Sequence, residues 1–262
     1  MQVFDFDHAI VREPGRSVVQ GLRSDPRGEP TYDGVLSEHR AYVAALRDAG
    51  LAVEILPPLE AFPDSVFVED PAFLIPEGAI LLRPGAPSRL AEREHMCETL
   101  IRHFGQVLEL GEGEDVDGGD VLITPAAIFI GLSKRTNKPG AEALRAHLRT
   151  LSRETRIVQT PPEFLHLKTV SSLLDEETLL VTRAMAASGI FAGFRLLIAP
   201  DGEEAAANAL RVNDTVMIGD CYPRTLDLVA RHGVRVTALP VTEIAKLDAG
   251  LSCMSLRWRK LP

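Results

Sequence analysis

A cysteine, a histidine and a set of carboxylates are the residues of this chain that could do chemistry together. Cys253 lies in the stretch LDAGLSCMSLR, from Leu247 to Arg257, just after a glycine and inside an apolar run. A small cysteine in such a run is commonly inert packing. It becomes a nucleophile where a positive neighbour or a cationic substrate lowers its pKa. His166 can act as general acid and base near neutral pH; taken alone it reads equally as a satisfied core histidine. A carboxylate beside it would fix its tautomer and stabilise its charged form. Asp117 and Asp120 flank Gly118 and Gly119, which could merely make a turn or allow close backbone approach to a ligand. Asp64, Glu69 and Asp70 cluster in FPDSVFVED. Two or three such groups bind a planar cation such as guanidinium in bidentate fashion. The bland reading is a turn and a solvated surface. Against it, Glu69 and Asp70 abut Val66 to Val68, read here as a strand, where an unpartnered charge is costly. Arg83 and Arg89 flank a Pro/Gly turn, and Lys134 and Arg135 follow a strand. Paired arginines suit a substrate carboxylate, or they are surface charge at turns.

These residues recur at one phase of a repeat. Helix-spaced apolar residues followed by a short strand occur five times. The stretches are a helix from Ser37, as its cap, to Ala49 and then LAVEIL; Ser88 to Phe104 and then QVLEL; Pro139 to Leu151 and then RIVQT; Ala184 to Ala192 and then RLLIA; Pro223 to His232 and then VRVTAL. Between copies lie apolar pairs with a turn, such as DVLIT and AIFIGL, or ALRV and TVMIG. Each copy therefore reads strand, turn, strand, helix, strand. The fifth is complete only if CMSLRW at the C-terminus joins VFDFDHAIV at the N-terminus. A closed ring of five units accounts for the length and for the split copy; an ordinary α/β sheet with βαβ units is the competing architecture. In a ring, equivalent phases surround the axis. Asp64, Glu69, Asp70, Asp117, His166, Asn208 and Cys253 would then converge. Pro14 to Asp33 reads as a long loop, either a lid or a disordered surface segment.

The bulk properties narrow the function. The 262 residues carry a net charge of −9, which argues against a general nucleic-acid binder. No apolar run approaches a membrane span, and the acidic, alternating N-terminus does not read as a signal peptide. The three widely spaced cysteines, Cys97, Cys221 and Cys253, suggest neither a disulfide framework nor a metal site, and are expected to be free thiols in a reducing cytoplasm. No HExxH pattern or Cys/His cluster at structural-zinc spacing is present, so no metal is expected.

Six motifs in order, SVFVEDPA, RPGAPSR, DGGDVL, GLSKRTN, HLKT and LSCMSLR, resemble the dimethylarginine dimethylaminohydrolase family across nearly the whole chain. The resemblance implies an α/β propeller of five pseudo-symmetric ββαβ modules in one closed, pentein-type ring, spanning 1–262 as a single domain. It implies hydrolysis of a small-molecule substrate, Nω-methylated arginine, to citrulline and a methylamine, without a cofactor. By motif, Cys253 would be the nucleophile and His166 the acid and base, with Asp117 orienting it. Asp64, Glu69 and Asp70 would bind the substrate's cationic groups, and Arg89 and Arg135 its carboxylate. Leu22 and Leu247 would offer main-chain contacts. Met254 stands where some relatives carry a second cysteine. Arginine deimination or hydrolysis of another substituted guanidine, and non-catalytic binding of a guanidino compound, are the alternatives. A homodimer is the assembly to test for.

Overall fold

The computed structural model describes residues 3–24 and 28–261. The chain opens with β1 (His8–Arg12), α1 (Tyr32–Asp48) and β2 (Ala52–Leu56). Three complete modules follow: β3 (Ala72–Ile75), β4 (Gly78–Leu81), α2 (Glu94–Phe104) and β5 (Val107–Glu109); β6 (Val121–Ile123), β7 (Ile128–Leu132), α3 (Lys138–Thr150) and β8 (Thr155–Gln159); β9 (Ser171–Leu173), β10 (Thr178–Val181), α4 (Arg183–Ala187) and β11 (Arg195–Ile198). A fourth has β12 (Leu210–Val212), β13 (Thr215–Gly219), α5 (Pro223–Arg231) and β14 (Arg235–Leu239), and the chain ends with β15 (Leu256–Trp258). In every complete module the first two strands pair antiparallel, and the helix crosses over to a third strand parallel to the second. The short hairpin turns and the helical crossover dictate that arrangement.

The first module is split as the repeat required. Its middle strand β1 pairs parallel with β2 and antiparallel with β15, with His8, Ala9 and Ile10 opposite Trp258, Arg257 and Leu256. Packing then closes the circuit. Buried apolar residues fall into five clusters, each joining two consecutive sheets around one helix. Leu256 and Trp258 meet Leu74 and Leu81 over Leu100 of α2. Ile75 and Ile80 meet Val121 and Ile130 over Leu144 of α3. Phe129 meets Leu173 and Val181 over Met185 of α4. Leu180 meets Val216 and Ile218 over Val229 of α5. Leu210, Met217 and Leu239 return to Ala9 and Val11 over Leu46 of α1. The molecule is an α/β propeller of five ββαβ modules. Among the described residues, no helix is long and apolar enough to cross a membrane.

Three expectations are corrected. The first helix begins at Tyr32 rather than after Ser37, because the Thr31 hydroxyl accepts the Gly34 N–H at 3.2 Å and caps it. The preceding loop is accordingly shorter, and it contains a 3-10 turn over Arg16–Gln20. Val66 to Val68 form turns, not a strand. Val66 and Phe67 fill the interface around α1 while Val68 fills the one around α2, so the run is spent on two interfaces instead of a ladder. Finally, α4 is five residues long, and its predicted second half is turn.

Candidate active site

Each passage from one module's last strand to the next module's first strand delivers a polar residue to the same end of the ring. A 3-10 turn over Gly118–Asp120 follows Asp117. Another, over Leu167–Thr169, follows His166. A third, Glu204–Ala207, precedes Asn208, and Leu251–Met254 contains Cys253. Asp64, Glu69 and Asp70 occupy the turns before β3. Such turns leave backbone groups unpaired, and these are satisfied locally: Gly119 N–H donates to Asp70 Oδ1 at 3.0 Å, and Leu167 N–H to Asp120 Oδ1 at 2.9 Å.

His166 and Asp117 are both buried, with His166 Nε2 donating to Asp117 Oδ2 at 3.0 Å. The other Asp117 oxygen accepts the Gly85 N–H at 2.7 Å. Burial works against a charge on His166. The hydrogen bond to Asp117 and the charges of Asp120 and Asp70 outweigh it, and the pKa is pushed up to about 9. The imidazolium form, a proton donor, is thus favoured at neutral pH. Asp120 is fully buried; its second oxygen accepts the Ser133 and Thr136 hydroxyls at 2.6 and 2.7 Å, which ties the His166 turn to the end of β7.

Cys253 is half-buried, and its environment is hostile to a thiolate. Burial, then the charges of Glu69 and Asp70, push its pKa up to about 12; a backbone hydrogen bond from Gly250 and the charge of Lys168 pull less strongly the other way. A neutral thiol is the resting form. Its main chain is pinned to the acidic segment, since Glu69 N–H donates to the Cys253 carbonyl at 3.2 Å.

The carboxylates divide into different settings. Asp70 is buried; burial opposes its charge, but Arg89, His166 and the Gly119 N–H hold its pKa down to about 2. Arg89 donates through Nη1 to Asp70, through Nε to Glu92 at 3.1 Å, and through Nη2 to the Phe67 carbonyl at 2.9 Å and to Glu92 at 2.8 Å. Burial lifts Glu92 to about 7, against the pull of Arg89. Burial raises Asp64 too, opposed by Arg89 and by the Leu22 N–H, which donates to Asp64 Oδ1 at 2.9 Å. Glu69 instead faces Lys168 Nζ at 2.5 Å, Ser252 Oγ at 3.1 Å and Arg257 Nη2 at 3.5 Å.

One cavity of about 180 Å³ gathers Leu22, Asp64, Asp70, Arg89, Arg135, His166, Leu247 and Cys253. Of the residues named from sequence, Asp117, Asp120, Glu69, Asn208, Arg83 and Lys134 do not line it; Asn208 lines a separate cavity. Asp117 lies fully buried behind His166. Glu69 lines a second cavity behind the first, among the first strands of the modules. Arg135 is the less committed guanidinium, with Nη1 3.9 Å from Asp117. Over the cavity, Ser24 closes the loop of Leu22 onto Asp248, its N–H and hydroxyl donating to Asp248 Oδ2 at 2.5 and 2.8 Å. Residues 25–27 of that loop lie outside the described residues. Among the described residues, Asp70, Asp117 and His166 are the one group whose metal-ligand atoms lie within 4.8 Å of one another. As they stand, those atoms are spent on Arg89, Gly119, Gly85 and each other.

Sequence reasoning missed Glu92, Lys168, Ser252 and Asp248. Glu92 reads as a solvated helix face, and the Lys168 and Ser252 partners of Glu69 are 99 and 183 residues away. Only the repeat phase could have flagged Ser252, as the neighbour of Cys253.

The model of the family "N,N dimethylarginine dimethylhydrolase, eukaryotic" matches residues 25–187. The chain is 39% identical over 254 residues to the N(G),N(G)-dimethylarginine dimethylaminohydrolase of Pseudomonas aeruginosa, covering 97% of this chain and 100% of that one. It is 32% identical over 257 residues to its namesake in Streptomyces coelicolor, covering 97% of each. The Pseudomonas aeruginosa enzyme, solved as a cysteine-to-serine mutant with citrulline, superposes with a TM-score of 0.94 over 97% of this chain and 100% of that one. The N-terminal domain of ArgZ, a cyanobacterial arginine dihydrolase, shares the fold at 18% identity, with a TM-score of 0.85 over 97% and 98% of the two chains. With that identity sustained over nearly its full length, the chain belongs to the dimethylarginine dimethylaminohydrolase family.

Proposed function

We propose that the protein hydrolyses Nω-methylated arginine to citrulline and a methylamine, with Cys253 as nucleophile. The observation that carries this is the single cavity on which Cys253, His166 and the carboxylates of Asp64 and Asp70 all open. A guanidinium between Asp70 and Cys253 supplies the positive charge the thiol lacks, so its proton passes to solvent as substrate binds, His166 being already protonated. Cys253 Sγ then attacks the guanidinium carbon. The C–N bond breaks as His166 delivers its proton to the departing amine, leaving an S-alkylthiouronium on the enzyme. Water attacks the same carbon, His166 takes its proton, and C–S cleavage frees citrulline. Asp117 keeps the imidazole in one orientation throughout. In the same reading, Asp64 and the main chains of Leu22 and Leu247 hold the ammonium end, Arg135 with Arg89 holds the carboxylate, and Glu69 acts on Cys253 through its charge.

Citrulline release from asymmetric dimethylarginine, monomethylarginine and arginine tests the reaction. Turnover of the methylated substrates is expected, and Cys253→Ser should lower it by roughly four orders of magnitude or more. Faster turnover of arginine makes the protein a deiminase, and no turnover with no covalent adduct on Cys253 makes it a binder. The setting belongs to the proposal as well. A free-thiol nucleophile suits a reducing cytoplasm, read by fractionation, and a homodimer is expected in sedimentation.

A further inference from the structure

The passage into the last complete module contributes a residue that the mechanism above leaves idle. Asn208 occupies the same repeat phase as His166, and its carboxamide lies against the loop of the nucleophile. Asn208 Oδ1 accepts the Ser252 N–H at 3.2 Å. An amide has one acceptor end and one donor end, so that bond decides which end points the other way. Asn208 Nδ2 accordingly faces Cys253 Sγ, at 4.0 Å. We infer that Asn208 is a further catalytic residue, whose N–H donates to the Cys253 sulfur as it becomes a thiolate.

The charges around the sulfur make such a donor necessary. Glu69 and Asp70 both disfavour the thiolate, and Lys168, whose charge favours it, is already bonded to Glu69. A lysine or arginine in place of Asn208 would stabilise the sulfur but repel the incoming guanidinium. A neutral, pre-aimed N–H does the first without the second, and its worth grows as charge develops on the sulfur. The hydrogen bond to Ser252 prevents the carboxamide from turning its oxygen toward Sγ, where it would act in the opposite sense.

The inference rests on Cys253 being the nucleophile, and it is tested without requiring turnover of any substrate. Iodoacetamide alkylation at pH 8, resolved by mass spectrometry for each cysteine, reports the thiolate fraction of Cys253, with Cys97 and Cys221 as internal references. Asn208→Ala is expected to slow alkylation of Cys253 by about tenfold, the value of a hydrogen bond to a charged group, and leave the other two unchanged. Asn208→Asp keeps an acceptor for the Ser252 N–H but replaces the donor with a negative charge. It should slow Cys253 further and lower kcat more than it raises KM. Asn208→Asp alkylating at the wild-type rate, or Asn208→Ala losing activity with no change in alkylation, would overturn the inference and leave Asn208 a support for the Ser252 peptide. Should Asn208→Ala unfold, which equal alkylation of all three cysteines would reveal, the isosteric Asn208→Asp decides alone. A slowed Cys253 in a protein that does not hydrolyse methylated arginine would sink the proposed reaction and not this one.

Discussion

His166 and Asp117 tie the protein's stability to its chemistry. Because Asp117, Asp120 and Asp70 raise His166 to about 9 from an ordinary value near 6.5, the charged ring is a native-state asset. That contribution is complete below about pH 6.5 and is lost as pH rises through 9, the reverse of a salt-bridged acid. The span corresponds to about 3 kcal/mol at most. Urea midpoints should therefore fall between pH 6.5 and 9, and Asp117→Asn should flatten that fall while lowering kcat by about a hundredfold. An Asp117→Asn variant with the wild-type pH slope would mean that the other carboxylates carry the charge alone. Which residues share the cavity was partly legible at this scale. The chemical types of Cys253, His166 and Asp70 announced themselves, and their motifs tied them together. The commitment of Arg89 to Asp70 and Glu92 did not, because a sequence shows a charge but not how many of its donors other protein groups already engage.

At the scale of elements, two adjacent glycines predict different failures. A Cβ on Gly118 would sit 1.9 Å from the Glu69 carbonyl oxygen, a backbone atom with nowhere to go. A Cβ on Gly119 would sit 2.6 Å from His166 Nδ1, a side chain that can swing. Gly118→Ala should therefore cost on the order of 4 kcal/mol in chemical denaturation, whereas Gly119→Ala should lose most of its activity with a smaller shift in midpoint. The loop over the cavity makes a second prediction. Asp248 is in the left-handed region, φ 55°, so Asp248→Gly keeps that backbone and removes only the acceptor for Ser24. KM is expected to rise by about tenfold with kcat changed less, as in release of a substrate cover; an unchanged KM would show that Leu22 and Asp64 hold the loop by themselves. The helices and hairpins were readable because apolar spacing is local. The start of α1 was not. Thr31 caps it while donating its N–H to Glu243, 212 residues away, at 2.6 Å.

Across the whole molecule, five clusters of buried apolar residues each bridge two modules, so no module has a core of its own. We propose on this ground that residues 1–262 behave as one folding unit, which a single calorimetric transition would support and stepwise melting would refute. The ring also brings the chain ends together. Asp7 N–H donates to the Trp258 carbonyl at 3.2 Å, and Lys260 N–H to Asp7 Oδ1 at 2.8 Å. A permuted chain, joined across these ends and opened at the β6–β7 turn, should fold and retain activity; an inactive but folded product would show that the ends themselves shape the site.

The pairing of β1 with β15 has a further meaning for a chain made from one end. On the ribosome β1 can find β2 early, yet its other edge stays bare until Leu256 to Trp258 emerge, after all the other strands of the ring. A bare strand edge is sticky, and Ile10 and Ala9 beside it have no cover in the meantime. The nascent protein thus passes through a vulnerable interval whose length is set by translation speed. Because Cys253 arrives only three residues before that closing strand, the proposed nucleophile is delivered at the moment the vulnerable edge is sealed.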